Sequence, residues 1–206
     1  PSVDNVIEYA TKMLKGEKPM LCNRCYMMED NGAVSPRVNM TEKFGSKVRK
    51  MIENTDVETG HNGDFSLKYW DFRFSNICNF KCRTCGDMLS SAWETEQKQH
   101  NMINWSNPKN LWMQDDVKQQ IEKFQDSVVE QEFSQAVEQH RIEEVYWVGG
   151  EPLMYKQHWQ YMQRIIELGD GPRVYARYNT NLSRVDYRGI NLYGDILSGL
   201  RDWQIC

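Results

Sequence analysis

Three cysteines within eight residues form the arrangement in this chain most suited to metal chemistry. Cys78, Cys82 and Cys85 stand in the run CNFKCRTC. A loop this short can bring three sulfur atoms to one point, and thiolates bind soft metals and iron–sulfur clusters. Structural zinc sites and ordinary electron-transfer clusters use four protein ligands. Three cysteines therefore indicate a cluster with one iron open to a small molecule. Their spacing alone also allows a chance grouping, or a zinc site completed by a distant residue.

Two further segments carry residues suited to ligand binding. Gly149, Gly150, Glu151 and Pro152 follow the apolar run VYWV, and the polar run YNTNL occupies residues 178–182. Paired glycines let a ligand approach the backbone, whose open polar groups can bind an ammonium or a carboxylate. Because ligands of parallel α/β folds bind at the carboxyl ends of strands, we expect three consecutive strand ends to form one pocket.

Hydrophobic periodicity indicates the elements that must position these segments. It predicts strands at 65–75, 145–148, 173–178 and 203–206, and helices at 4–15, 42–53, 114–140, 155–168 and 186–200. Strands that alternate with helices favour a parallel sheet. The polar stretch 54–64 is typical of a linker, so we expect a helical module at 1–64 and an α/β domain at 65–206, with a helical insertion at about 88–142.

Composition narrows the functional class. The chain has 206 residues, of which 40% are hydrophobic and 26% charged, as in ordinary globular proteins. No run approaches the roughly 18 apolar residues of a membrane span, and residues 1–10 lack the features of a secretory signal. The net charge of −4 argues against a nucleic-acid partner. We expect a cytoplasmic protein without a membrane partner, in which cysteine clusters are metal sites rather than disulfides.

The ends of the sequence suggest that more chain exists. The sequence begins with Pro1 rather than Met and stops at Cys206, inside an expected strand. We therefore expect a fragment of a longer protein, with the remaining strands beyond residue 206.

CNFKCRTC, the GGEP segment and the Thr-Asn turn, in this order and on these elements, resemble the radical S-adenosylmethionine (radical SAM) enzymes. The resemblance covers about residues 66–206, and the cysteine triplet with GGEP is its specific part. It implies an α/β fold, a partial and truncated (β/α)6 barrel preceded by a small, mainly helical cysteine-bearing module. One position departs from the family pattern: Thr84 stands where an aromatic or bulky apolar residue usually precedes the last cysteine.

The resemblance also implies cofactors and roles. Cys78, Cys82 and Cys85 would hold a 4Fe–4S cluster, whose open iron binds S-adenosylmethionine. One electron, supplied by a reductant such as flavodoxin or ferredoxin, would cleave this cofactor to a 5′-deoxyadenosyl radical that abstracts hydrogen from a substrate of unknown identity. The residues implied in cofactor binding are Phe80, Gly149, Gly150, Glu151, Pro152, Asn179, Thr180 and Asn181.

The N-terminal module carries a second cysteine motif. Cys22 and Cys25 lie in the run GEKPMLCNRCYMMEDNGAVSPR, which is similar to a segment found with auxiliary-cluster (SPASM or twitch) modules of phage and bacterial radical SAM proteins. Three interpretations compete: ligands of a second, auxiliary iron–sulfur cluster, half of a zinc site, or two free thiols. Arg37 could pair with Glu29 or face solvent.

Several alternatives stay open at this point. Within the enzyme class, the C-x2-C pair favours a peptide- or protein-modifying enzyme over a deazapurine synthase or a glycyl-radical activase. Outside it, Cys22, Cys25, Cys82 and Cys85 could form a zinc-binding interaction module, which would leave Cys78 without a role.

A few residues have weaker signals. Trp70 and Trp147 lie on expected strands, where they could line the pocket. Cys206 could be a buried small hydrophobe or an additional ligand. The four histidines lack ligand spacing and are expected on the surface or on helices: His61, His100, His140 and His158.

Overall fold

The computed structural model describes residues 3–63, 66–73 and 75–206. The chain divides into two compact units, Pro1–Ser66 and Leu67–Cys206, which are described separately. This division lies two residues after the boundary expected from the sequence.

The first unit is helical. Its helices are α1 Val3–Leu14, α2 Asn23–Asp30, α3 Pro36–Phe44 and α4 Ser46–Glu53. The expectation of one helix at 42–53 was wrong, because Gly45, with a positive φ of 42°, separates α3 from α4. Such a backbone angle suits glycine and interrupts a helix. The start of α3 is marked by Ser35, whose hydroxyl caps the helix, and by Pro36 at its first position.

The stretch predicted as a linker is instead folded into a turn, as far as residue 63. Thr55 and Asn62 form an isolated antiparallel bridge. Between them, the carboxylate of Asp56 accepts hydrogen bonds from backbone N–H groups two and three residues further on, a turn that Asx side chains favour. At Gly60 an added Cβ would lie 2.7 Å from a carbonyl oxygen of α1, so the turn packs closely against that helix.

The second unit is built on parallel strands, as their alternation with helices predicts. The strands are β1 Tyr69–Phe72, β2 Glu144–Trp147, β3 Tyr175–Tyr178, β4 Asp186–Tyr187, β5 Ile190–Asn191 and β6 Asp202–Ile205. Four of them form one parallel sheet in the order β1-β2-β3-β6. β1 is shorter than the strand expected at 65–75, of which Phe65 and Phe74 lie outside the described residues. Closure of this sheet into a barrel stays a prediction.

The sheet register brings the strand ends level. Phe72 is opposite Trp147, Trp147 is opposite Tyr178, and Tyr178 is opposite Ile205. The loops that leave β1, β2 and β3 therefore start from the same edge of the sheet, as the expected pocket requires.

Helices connect the strands. They are α5 Ser91–Gln99, α6 Asp115–Phe124, α7 Glu130–Glu138 and α8 Lys156–Glu167. The single helix expected at 114–140 is present as α6 and α7, joined by a π-helical turn over Gln125–Val129. In the described part of the chain, no helix has the length and apolar character needed to cross a membrane.

The prediction of a helix at 186–200 was wrong. β4 and β5 form a short hairpin around Arg188 and Gly189, which have φ values of 51° and 85°. Two positive φ angles are the requirement of a tight hairpin turn. Leu192 and Ile196 follow in a π-helical turn and are fully buried. Their helix-like spacing therefore came from one short turn that fills the core rather than from a long helix.

The core is rich in aromatic side chains. Phe72 of β1 lies 4.1 Å, centroid to centroid, from the ring of Phe133 on α7 and 5.4 Å from Trp147 on β2. Such pairs add to the burial of apolar surface. Trp70 and Trp147 are buried in this cluster, so the expectation that they line a pocket was wrong.

His158 is a helix residue, as expected, but it is completely buried. Its Nε2 lies 3.1 Å from the hydroxyl of Tyr178, and its ring packs edge-on against Trp147 and Trp159. Burial lowers the pKa of His158 to about 3, because the charged form would lose its hydration.

This histidine makes stability depend on pH. Between about pH 6.5 and 3 the unfolded chain binds a proton at His158 and the folded chain does not, so stability falls as the pH is lowered. The slope is at most about 1.4 kcal/mol per pH unit. We expect the free energy of unfolding, measured with urea between pH 6.5 and 5, to fall with pH in wild type and in the exposed-histidine control His100→Gln. In His158→Gln this contribution to the fall should be absent. Equal slopes in both variants would contradict the assignment.

Candidate functional site

The loops after β1 and β3 meet at the carboxyl edge of the sheet. The side-chain amide of Asn181 donates to the sulfur of Cys78 at 3.7 Å and to the side-chain oxygen of Asn79 at 3.2 Å. Ser183 donates to the same oxygen of Asn79 at 3.1 Å. The cysteine loop and the Asn-Thr-Asn segment, predicted from sequence to share a pocket, are therefore in contact.

Glu151 ties the loop after β2 to both of the others. Its backbone N–H donates to the carbonyl of Ile77 at 2.7 Å, directly before Cys78. Its buried carboxylate accepts from the backbone N–H of Asn181 at 2.7 Å and from the hydroxyl of Thr180 at 2.6 Å. Both predicted ligand-binding groups, Glu151 and Thr180, thus bind each other, and the carboxylate acts here as a clamp between loops.

The paired glycines fit a space that no side chain could enter. Gly149 and Gly150 have φ values of 82° and 55°, which are costly for other residues. An added Cβ on Gly150 would lie 2.3 Å from the hydroxyl of Tyr155 and 2.5 Å from the carbonyl oxygen of Ile77. Pro152 follows as a buried residue at the start of a short 3-10 turn. The turn therefore packs directly on the segment that leads into the cysteine loop.

The first turn of α5 holds the cysteine loop from the other side. The hydroxyl of Ser91 accepts from the backbone N–H of Cys78 at 3.1 Å. The hydroxyl of Ser90, which also caps α5, donates to the carbonyl of Phe80 at 2.6 Å. Sequence reasoning missed both serines, although two serines in front of a helical segment are a known helix-start signal.

Trp93 and Lys81 extend this attachment. The indole N–H of Trp93 donates to the carbonyl of Cys82 at 3.0 Å. Lys81, inside the loop, pairs with Glu96 of α5, and its ammonium lies 5.8 Å from the centre of the Trp93 ring. Four residues of the loop, Cys78 and residues 80–82, are thus bonded to α5 and its N-cap.

A buried carboxylate fixes the segment before Cys78. Glu94 of α5 accepts hydrogen bonds from Asn76 at 2.7 Å, from Lys118 at 2.8 Å and from Lys98 at 2.9 Å. Burial alone would raise the pKa of Glu94, but these donors lower it, so the carboxylate is ionised at neutral pH. This ion cluster joins α5 and α6 to the chain that enters the cysteine loop.

The six cysteines are all free thiols. Cys78 and Cys85 are half-buried and Cys82 is exposed. Burial raises the pKa of Cys78, the hydrogen bond from the Phe80 N–H opposes this with a smaller effect, and the negative charge of Glu151 adds a still smaller increase. Among residues 3–63, 66–73 and 75–206 no three His, Cys, Asp or Glu side chains are arranged to hold a metal ion. The three sulfurs must therefore draw together to bind a cluster.

The donor set still suits a thiolate-bound cluster. The three thiols lie on one anchored loop, and the sulfur of Cys78 receives hydrogen bonds from the Phe80 N–H at 3.4 Å and from Asn181. Hydrogen bonds to ligand sulfurs stabilise the thiolate form and tune cluster potentials.

The remaining predicted residues of this edge are solvent-accessible. Phe80 is 45% exposed, and Asn179 is exposed beyond the end of β3. Cys206 is also exposed, and its backbone carbonyl accepts from the N–H of Thr180 at 3.4 Å. The interpretation of Cys206 as a buried hydrophobe was wrong, and the residue follows β6 at the same sheet edge as the three loops.

In the first unit, Cys22 is the residue before α2 and Cys25 lies in its first turn, both half-buried. Arg37 pairs with Glu29, the first of the two options expected from sequence, and its guanidinium lies 4.9 Å from the ring centre of Tyr26. The hydrogen bond from Arg37 lowers the pKa of Glu29. No third metal ligand joins the two cysteines within the described part of this unit.

Replacing Glu151 should destabilise the fold, because its carboxylate holds two loops together. Glu151→Gln presents an NH2 group to neighbours that are themselves donors, so it should lower the free energy of unfolding by about 1–3 kcal/mol. Urea denaturation measures this, with Glu167→Gln on the exposed face of α8 as the matched control. A Glu151→Gln protein as stable as the control would contradict the clamp.

Comparison with known proteins adds no relative: no protein-family model, curated protein or solved structure matches the chain. The candidate site is therefore defined by its own residues alone.

Proposed function

We propose that the chain is a radical SAM enzyme, which reductively cleaves S-adenosylmethionine to start radical chemistry on a substrate. One observation carries the proposal. The segments CNFKCRTC, GGEP and Asn-Thr-Asn leave neighbouring parallel strands at one edge, and Cys78, Glu151 and Asn181 join them by hydrogen bonds. Ligand sites of parallel α/β folds lie at this edge.

In this proposal Cys78, Cys82 and Cys85 hold a 4Fe–4S cluster. When bound, the cluster supplies the electron that splits S-adenosylmethionine into methionine and a 5′-deoxyadenosyl radical, which takes a hydrogen atom from the substrate. The chain itself binds, orients and shields these groups.

The protein residues contribute in distinct ways. The half-buried backbone of Gly150 would face the methionyl part of the cofactor, while the carbonyl of Gly149 accepts from the hydroxyl of Tyr155. The carboxylate of Glu151 fixes the neighbouring loop through Thr180 and Asn181 rather than reaching the ligand itself. Phe80 and Asn179, both exposed at this edge, would contact the rest of the nucleotide. Pro152 is buried and would act only through the turn that it starts.

The proposed enzyme also has an expected fold, cellular compartment, electron donor and second cluster. The second unit would be part of a (β/α)6 barrel, working in the cytoplasm with an electron donor of the flavodoxin or ferredoxin class. Cys22 and Cys25 would bind an auxiliary iron–sulfur cluster with ligands from outside the described residues, which favours a peptide or protein as substrate.

Anaerobic reconstitution tests the proposed function. With iron, sulfide and dithionite, the wild-type protein should become brown and release 5′-deoxyadenosine from S-adenosylmethionine. Cys82→Ala should lose the iron bound at this loop and all of that product, because two thiolates cannot hold a cluster that needs three. Iron content, absorption spectra and chromatography of the nucleoside are the measurements.

Thr84→Ala, in the same loop but without a thiol, is the matched control and should keep its iron. A fully loaded wild-type protein that forms no 5′-deoxyadenosine would contradict the proposal. A colourless protein with stoichiometric zinc would instead support the interaction module.

A further inference from the structure

Tyr155 lies directly behind the paired glycines and connects two loops. It precedes α8, is buried, and its hydroxyl contacts the carbonyl oxygens of Ser75 and Gly149. Ser75 belongs to the segment that leads from β1 to Cys78, whereas Gly149 opens the turn after β2. One side chain therefore spans from the glycine turn to the entrance of the cysteine loop.

The atoms around the Tyr155 hydroxyl are closely packed. A Cβ on Gly150 would overlap both the Tyr155 hydroxyl and the carbonyl oxygen of Ile77, at 2.3 and 2.5 Å. The same carbonyl accepts the N–H of Glu151 at 2.7 Å. The turn, the tyrosine and residues 75–77 thus form one contact.

Helix α5 holds the same segment by further hydrogen bonds. The carbonyl of Asn76 accepts the N–H of Ser91 at 2.6 Å, and its side chain donates to Glu94 at 2.7 Å. Cys78 follows two residues later. The glycine turn is therefore connected through Tyr155 to the segment that enters the cysteine loop.

We propose that Tyr155 is a positioning residue: its hydroxyl fixes the Gly149–Gly150 backbone relative to the cysteine loop and so sets the affinity for the α-amino carboxylate of a sulfonium nucleotide. This inference rests on the proposed function, which places that group between the turn and the loop. Tyr155 acts through the backbone and does not touch the ligand. Independently of this geometry, burial raises the pKa of Tyr155, so its hydroxyl keeps the proton that it donates.

Tyr155→Phe isolates the hydroxyl because the buried ring is kept. The matched control is Tyr161→Phe on α8, which removes a hydroxyl that donates to Glu130 at 3.2 Å, outside the three loops. Both variants lose one hydrogen-bonding group, so an effect confined to Tyr155→Phe reports position and not general destabilisation.

The first measurement uses the metal-free protein. Hydrogen exchange followed by mass spectrometry should show faster exchange over residues 75–80 and 149–151 in Tyr155→Phe, and wild-type exchange there in Tyr161→Phe. The amides of Cys78 and Glu151, bonded to Ser91 and Ile77, are the informative ones. Unchanged exchange in these segments, or faster exchange throughout the chain, would overturn the inference.

The second measurement uses the reconstituted protein, titrated with S-adenosylmethionine and followed by electron paramagnetic resonance of the reduced cluster. With equal iron content, Tyr155→Phe should bind about two- to tenfold more weakly, the range expected for one buried hydrogen bond, and Tyr161→Phe should match wild type. Equal affinity in Tyr155→Phe would overturn this inference and leave the proposed function intact. A loaded wild-type protein that does not respond to S-adenosylmethionine would overturn both.

Discussion

The carboxylate of Glu151 is the interaction on which the candidate site depends. It is buried, and three donors satisfy it: the N–H groups of Leu153 and Asn181 and the hydroxyl of Thr180. A buried charge without such partners would be strongly unfavourable, so the loops after β2 and β3 must come together around it. Because the backbone of the same residue also binds the loop after β1, one position holds three strand ends in register.

The rest of the second unit makes this arrangement possible. The level ends of the parallel strands bring the three loops to one edge, and the aromatic core beneath them fixes the strands. Helix α5 then holds the cysteine loop by its backbone, through Ser90, Ser91 and Trp93, and leaves the thiols free of covalent bonds. The backbone of this loop is therefore anchored, while its three thiols form no disulfide.

The sequence predicted the parts of this structure that depend on local pattern. The strands before GGEP and before Asn-Thr-Asn, and helix α8 between them, follow from alternation and helical periodicity. The prediction failed where one or two residues override the pattern. Gly45 divides a helix, and the Arg188-Gly189 turn makes a hairpin where Leu192 and Ile196 suggested a helix.

Individual side-chain contacts between residues far apart in the chain could not be predicted from the sequence. The roles of Ser91, Glu94 and Tyr155 arise only when the strands are level, and the burial of Trp70 and Trp147 depends on Phe133, which lies on another element. The three cysteines could be named as candidate metal ligands from the sequence because all of them lie in one short loop.

The central claim is that three cysteines hold a cluster whose fourth iron binds S-adenosylmethionine. Mössbauer spectroscopy of the protein reconstituted with 57Fe tests it most directly. We predict that adding S-adenosylmethionine changes the signal of one iron site in four and leaves the others as they were. A spectrum that S-adenosylmethionine leaves unaltered in a fully loaded protein would contradict the claim.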